Sequence, residues 1–376
     1  MAETEKLLKD LIALRSVNPA FLPEGHPDAG ESRVAKFLGA TASNAGLDVE
    51  FQPVAPGRSN IIARLSPKEK VQHRILFVPH MDTVPPSSEA QFNPCVSNGR
   101  LYGRGACDTK GSVAAMLTAI VSFAKNGGPL PKTEIIFAGV IDEENAQAGS
   151  RALVASGMRG DFAIVGEPTR LRVVTAHKGS VWLRFETRGK AAHGSCPNLG
   201  KNAVHEMARV VDFLETDYAS QLRKRRHPLL GCATVSVGSI KGGTQPNIVP
   251  DSCFASVDRR TLPGETEKSV LSELRLLFKK RGLNPKIASE KSSFCLPMET
   301  DHRLPLAQTL LKIARQSAPL GVNYFCDASV LAAAGTPSVV FGPGDIAQAH
   351  TSDEWISLDS LNRATQMLLK FIQSLP

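Results

Sequence analysis

The stretch Ile75-Leu76-Phe77-Val78-Pro79-His80-Met81-Asp82-Thr83-Val84-Pro85 is an apolar run that ends in an imidazole and, two residues on, a carboxylate. On an extended backbone, residues i and i+2 point the same way, so His80 and Asp82 share one face at a strand's end. That spacing suits a metal-ligating histidine whose other ring N–H is held by a carboxylate, which sets the tautomer and raises the basicity of the ligating nitrogen. A His-x-Asp pair recurs by chance, so the reading depends on what the rest of the chain brings to it.

Two more apolar runs end in acids. Ile135 to Ile141 leads into Asp142-Glu143-Glu144, and Phe162 to Val165 leads into Gly166-Glu167-Pro168. Three successive carboxylates beyond a buried strand repel one another unless a cation neutralises them. Ligands of open α/β sheets bind at the strand ends, so these ends predict one shared crevice. Between them lies the glycine-dense segment from Gly99 to Gly111, whose spacing fits neither the dinucleotide fingerprint nor the P-loop. Its glycines predict a tight turn that presents Asp108 at the mouth of an apolar helix from Ser112 to Lys125. Asp108 there is either an N-cap or a ligand.

Helical spacing of Leu7, Leu8, Leu11 and Ile12, and of Val34, Phe37 and Leu38, predicts two helices before the first strands at Val49 to Phe51 and Ile61 to Leu65. From His177 the pattern changes to strand (180–187), helix (202–214), two strands (233–240 and 253–258), helix (266–280) and a short strand near Ile287. That β-α-β-β-α-β order is ferredoxin-like and reads as an inserted domain. The fold class is therefore α/β: a catalytic domain with a central mixed sheet flanked by helices, residues 1–176 and 292–376, and a ferredoxin-like insert, residues 177–291. Connections near His177 and Ser292 bracket the insert and are placed to act as hinges. After the insert come a helix from Leu304 to Arg315, a strand from Ser338 to Phe341, a loop carrying His350, and a last helix from Leu358 to Leu375.

A chain of 376 residues exceeds one typical core, in keeping with two domains. The 42% hydrophobic and 21% charged content is that of a globular protein, and no apolar run approaches membrane-spanning length. The charged first residues do not form a secretory leader, so a cytoplasmic location is expected. Seven scattered cysteines without a Cys-x-x-Cys pair read as reduced thiols rather than a disulfide framework or a thiolate zinc site. Net charge is +8, but its densest cluster, Arg223-Lys224-Arg225-Arg226, lacks interleaved aromatics. It reads as a solvated loop and not as a nucleic-acid surface.

The ordered set His80-x-Asp82, Asp108, Glu143-Glu144, Glu167 and His350, interrupted by a ferredoxin-like insert, resembles the zinc amidohydrolase and metallopeptidase family. That family contains acetylornithine deacetylase, succinyl-diaminopimelate desuccinylase, aminoacylase and bacterial carboxypeptidase. The resemblance spans essentially the whole chain. It implies two divalent metal ions, zinc first and cobalt or manganese as alternatives, with Asp108 bridging, His80 and Glu167 completing one site, and Glu144 and His350 the other. Nitrogen and oxygen ligands suit these ions, and few ligands per ion leave room for water and substrate.

By the same resemblance, Glu143 is the general base acting on a metal-activated water, and Asp82 supports His80. His193 in Gly189-Lys190-Ala191-Ala192-His193-Gly194 matches the lid histidine that reaches the partner subunit's site and stabilises an oxyanion, which implies a homodimer. Asn247, and Arg260 in Asp258-Arg259-Arg260-Thr261-Leu262-Pro263-Gly264, match positions that hold a substrate carboxylate, with Arg259 as the competing choice. Many relatives have a glycine two residues after the double glutamate, where this chain has Ala146. The implied activity is cleavage of N-acyl amino acids, a small-molecule reaction of amino-acid biosynthesis. Gly342-Pro343-Gly344, Ala349-His350 and Asp353-Glu354-Trp355 look closest to the acetylornithine branch. Desuccinylation, dipeptide or carboxypeptidase-type cleavage, and a non-catalytic metal-binding relative are the alternatives.

Overall fold

The apolar runs that end in acids form the parallel centre of a sheet. In the computed structural model, which describes residues 2–127, 130–290 and 294–376, strands Thr133–Gly139, His73–Pro79, Phe162–Gly166 and Ser338–Val340 lie side by side in that order. All three pairings are parallel. These strands are buried almost throughout, so they show no polar alternation in sequence. The hairpin Asp48–Ala55/Arg58–Leu65 adds antiparallel to Thr133–Gly139, and Val174–His177 joins antiparallel to Ser338–Val340. The expected mixed sheet flanked by helices is what forms.

The chain divides into two compact units. The first is Met1–Thr175 with Glu299–Leu320 and Cys326–Pro376; the second is Ala176–Met298 with Gly321–Phe325. Ser292, one of the two expected hinge positions, lies outside the described residues.

In the first unit, helix Lys110–Gly127 is buried without a break from Lys110 to Val121 and packs on helices Ala2–Ala13 and Leu358–Gln373. Each large apolar side chain so buried contributes about 1.5–3 kcal/mol, which anchors the loop that enters this helix. Leu7, Leu8, Leu11 and Ile12 are buried as their spacing predicts. The Gly99 to Gly111 segment is not all turn. Arg100–Tyr102 is the middle strand of a three-stranded sheet with Cys95–Ser97 and Trp355–Ser357, and this pairing draws residues 350–355 across the Asp108 loop. Two short helices, Ala148–Ala155 and Ala328–Ala333, went unpredicted because neither begins with a side-chain cap hydrogen bond.

The second unit is a four-stranded antiparallel sheet in the order Thr234–Gly242, Ser252–Thr261, Gly179–Arg188, Lys286–Ser289, with helices Ala203–Phe213 and Glu267–Lys280. That is the ferredoxin-like arrangement. Strict alternation of burial along Ser252–Thr261 puts one face on a core that includes Phe185, Phe213, Tyr218 and Phe278. The first helix runs on past its expected end at Leu214, through a π turn to Arg223. Nor is the basic cluster that follows simply solvated, because Arg225 bonds Glu273 and lies 3.6 Å from Glu265. Among the described residues, no helix is long and apolar enough to cross a membrane.

Gly149 allows helix Ala148–Ala155 to lie against the segment that leads into Glu143. A Cβ there would sit 2.4 Å from Ile141 N, 2.5 Å from Ile141 O and 2.6 Å from Asn60 Oδ1. Gly149→Ala is therefore expected to lower stability by about 1–3 kcal/mol, as overpacking does. Chemical denaturation measures this directly; an unchanged midpoint would show that the contact relaxes freely.

Candidate metal centre and catalytic site

Sheet register brings the first two candidate ligands to one level. Pro79 pairs with Gly166, so His80 and Glu167 leave the sheet side by side, while His80 bridges Val140 on its other flank. His80 Nδ1 lies 3.0 Å from the main-chain carbonyl of Asp82 and 3.4 Å from its carboxylate Oδ1. A carbonyl only accepts, so Nδ1 carries a proton. Against burial, the bonds to Asp108 and Asp82 hold the imidazole pKa well above its ordinary value, so Nε2, the nitrogen that faces the site, gives up a proton before it can ligate a cation. Nε2 is 3.1 Å from Asp108 Oδ1 and 3.8 Å from Glu167 Oε1.

The other Asp108 oxygen serves the second histidine. Oδ2 is 3.3 Å from His350 Nε2, which in turn is 3.1 Å from Glu144 Oε2. Asp108 is thus shared between His80-Asp108-Glu167 and Asp108-Glu144-His350, in each of which the donor atoms lie within 4.8 Å of one another. It is not an N-cap; its side chain is turned to the two imidazoles.

Glu354 holds the Asp108 loop in place. This fully buried carboxylate accepts the N–H groups of Gly105, Cys107 and Asp108 at 3.0, 2.8 and 2.9 Å and is paired with Arg104 at 2.6 Å. Gly105 bends the chain with φ of +81°, a conformation that costs glycine little. The ammonium of Lys110 is buried on the carbonyls of Leu11 and Leu14, at 2.9 and 2.8 Å. Burial pulls its pKa down to about 7.

Asp82 acts from beneath the double glutamate. Its Oδ1 accepts the Glu143 N–H and its Oδ2 the Glu144 N–H, both at 3.1 Å, and Asn18 Nδ2 adds a third bond at 2.7 Å. These bonds, with His80, outweigh burial and hold Asp82 below the usual carboxylate range. Behind it, Arg58 pairs with Glu31 at 2.5 Å and reaches Asp142 at 3.2 Å.

The remaining acids are pushed the other way. Burial, and then the charge of Asp108, raise Glu144 to about 7; burial and neighbouring acids raise Glu143 and Glu167 well above the ordinary value. Asp327 rises to about 6 through burial, with Oδ1 bonded to Ser150 at 2.6 Å and a buried Oδ2 that no hydrogen bond reaches. Bonds from Asp108 and Glu144 lift His350 to about 10.

Residues 76–374 match the family model described as Peptidase family M20/M25/M40. The chain belongs to that family. It is 31% identical over 385 residues to acetylornithine deacetylase of Edwardsiella ictaluri, covering 97% of this chain and 96% of the relative. The enzyme of the same name from Myxococcus xanthus is 31% identical over 79% of each chain. Among solved structures, aminopeptidase PepT from Bacillus cereus superposes with a TM-score of 0.81 at 20% identity, over 99% of this chain and 98% of that one. The Bacillus subtilis YXEP protein, described as a dinuclear metal binding peptidase of the M20 family, gives 0.73 at 15% identity over 99% and 98%. As a family member this chain is a metal-dependent amidohydrolase.

The residues present fit a pair of divalent ions. Two neutral-capable imidazoles and several carboxylates converge without thiolate, a donor set that suits zinc, cobalt or manganese. Raised carboxyl pKa values and an unpartnered Asp327 oxygen mark a deficit of positive charge that a dication would correct.

The other expected site residues lie in the second unit. His193 is exposed, and its Nδ1 accepts the Ser195 N–H at 3.2 Å, so its proton resides on Nε2. Asn247 is adjacent: its carbonyl accepts the Gly194 N–H at 2.7 Å. Arg259 is fully buried and engaged by the Tyr218 hydroxyl at 3.0 Å and Glu265 at 2.6 Å. Arg260 stays partly exposed beside Asp258 at 2.9 Å.

Asn18, Glu31, Arg58, Asp327 and the anchoring role of Glu354 were missed from sequence. The Ser16-Val17-Asn18-Pro19 run and the placement of Glu354 four residues after His350 were the only signals for two of them.

A cation held by Asp108, Glu144 and His350 would need the last two without their protons, whereas pKa values of about 7 and about 10 leave Glu144 partly and His350 almost wholly protonated at neutral pH. Uptake is therefore expected to release protons, and apparent affinity to fall as pH drops. Calorimetric titration at pH 7 in buffers of different ionisation enthalpy reads the release; identical heats in all buffers would contradict it.

Proposed function

We propose that this protein hydrolyses the amide bond of an N-acyl amino acid, releasing a carboxylic acid and an amine, with acetylornithine-type deacylation as the leading case. The observation that carries this reading is Asp108, whose two oxygens each face one histidine of a separate triad, while the Glu143 carboxyl interacts electrostatically with Glu167 of one triad and Glu144 of the other. The deacetylase relatives, aligned over most of the chain, supply the substrate class.

His80, Asp108 and Glu167 would hold one ion, and Asp108, Glu144 and His350 the other. When bound, the two ions polarise the amide carbonyl and acidify a water so that it can attack near neutral pH. Glu143 takes the proton of that water on its carboxylate as the new O–C bond forms. It then delivers the proton to the amide nitrogen as the C–N bond breaks. Asp82 anchors Glu143 by its main-chain N–H, so the anchoring uses neither oxygen of the base.

His193 Nε2–H is a free-standing donor suited to the oxyanion that develops on the carbonyl, supplied across a homodimer by the second unit acting as lid and dimerisation domain. Asn247 and Arg260 would bind the amino acid's carboxylate, since Arg259 is already spent on Tyr218 and Glu265. Seven free cysteines support a cytoplasmic setting.

Metal-loaded protein is to be assayed on N-acetylornithine, N-succinyl-diaminopimelate, other N-acyl amino acids and dipeptides. Release of amine from one acyl amino acid, lost with chelator and restored by metal, is the expected result. Cleavage of dipeptides alone would move the protein to the peptidases, and silence across the panel would remove the proposal. Glu143→Gln should cut turnover by roughly 10²–10⁴-fold or more at unchanged metal content; retained turnover would assign the base elsewhere. Sedimentation should give twice the chain mass, and a monomer would rule out a donor in trans.

A further inference from the structure

Asn18 is fully buried, and its side-chain amide donates to two carboxylates at once: Asp82 Oδ2 at 2.7 Å and Asp142 Oδ1 at 3.0 Å. Its orientation follows from its partners. Carboxylates only accept, so the NH₂ group must face them, and Oδ1 takes the Ala20 N–H at 3.0 Å. The main chain leaves the residue little freedom. Asn18 N–H donates to Thr83 O at 2.9 Å, Thr83 N–H to Ser16 O at 3.0 Å, and the Ser16 hydroxyl to Met81 O at 2.8 Å.

The two acids it joins bracket the double glutamate. Asp82 holds the N–H groups of Glu143 and Glu144. Asp142 immediately precedes them in a left-handed conformation, φ +67°, and its carbonyl accepts from Ala146 at 3.1 Å and Gln147 at 2.7 Å. Arg58 approaches Asp142 from the other side and is tied to Glu31. Both acids are buried, so without a donor between them they would repel and separate.

We propose that Asn18 is a positioning residue for Glu143: its amide locks Asp82 to Asp142 and so sets the position from which the Glu143–Glu144 turn presents its carboxylates. The inference rests on the reading of Glu143 as general base. It assigns to the first residues of the chain a part in catalysis without contact with substrate.

Asn18→Leu keeps the branching at Cγ, in a somewhat larger side chain, and removes the donor. A misplacement of the base by about 1 Å predicts a fall in kcat of about a hundredfold, with KM within about threefold, in protein saturated with metal. Amide hydrogen exchange should rise by about tenfold in the peptide spanning 140–147 and stay unchanged in helix Leu358–Gln373. Unchanged kcat and exchange would overturn the proposal. So would faster exchange throughout the chain with a matching loss of Tm, since that is a merely structural role. If Asn18→Leu does not accumulate, Asn18→Ser, which can still donate to one acid, is read in the same way and should show an intermediate effect; failure of both to fold would also overturn it. Should metal-loaded wild type hydrolyse nothing, the reading of the reaction fails by itself, and the exchange measurement still decides whether Asn18 holds the turn.

Discussion

Mutual repulsion among buried carboxylates is the constraint on which this structure depends. Asp82, Asp108, Glu143, Glu144, Glu167 and Asp327 converge where parallel strands end, with two imidazoles as the nearest cationic groups. Like charges gathered in a medium of low dielectric take up protons or find a cation. The two outcomes appear side by side here. Asp82 and Asp108 stay acidic because donors surround them, and Glu143, Glu144 and Glu167 are driven upward by burial and then by the charge of neighbouring acids.

The fold meets that constraint with acids whose oxygens accept main-chain N–H groups. Glu354 gathers three main-chain N–H groups of the Asp108 loop, and Asp82 gathers two from the double glutamate. Charge-assisted bonds of this kind are stronger than neutral ones, and they fix backbone rather than side chain. The carboxylates of Asp108, Glu143 and Glu144 therefore sit on loops whose main chain is held from below. Arg104 neutralises Glu354 from behind, and Arg58 pairs with Glu31 and with Asp142, the acid that Asn18 joins to Asp82.

Much of this was legible in the residues. Apolar runs ending in His80, Glu143-Glu144 and Glu167 mark strands whose ends meet, because a buried parallel strand leaves only its terminus for polar chemistry. The β-α-β-β-α-β insert was readable for a similar reason: alternation along residues 252–261 and helical spacing along 266–280 are local patterns. Less was visible between residues 95 and 111. Arg100–Tyr102 owes its strand to Trp355–Ser357, more than two hundred positions away, and no local signal marks such a partner.

Identity and spacing of residues thus determined the ligand types, the strand termini that carry them and the order of the two folding patterns. Tertiary structure alone decided which atoms face one another: that Asp108 gives one oxygen to each histidine, that Asp82 spends its carboxylate on backbone N–H groups, and that Arg259 is buried while Arg260 is left partly exposed. The reason is physical. Periodicity and composition report which residues avoid water, whereas a hydrogen bond between residues 18 and 142 or 108 and 350 depends on where the chain returns in space, and that is settled by the packing of the whole core.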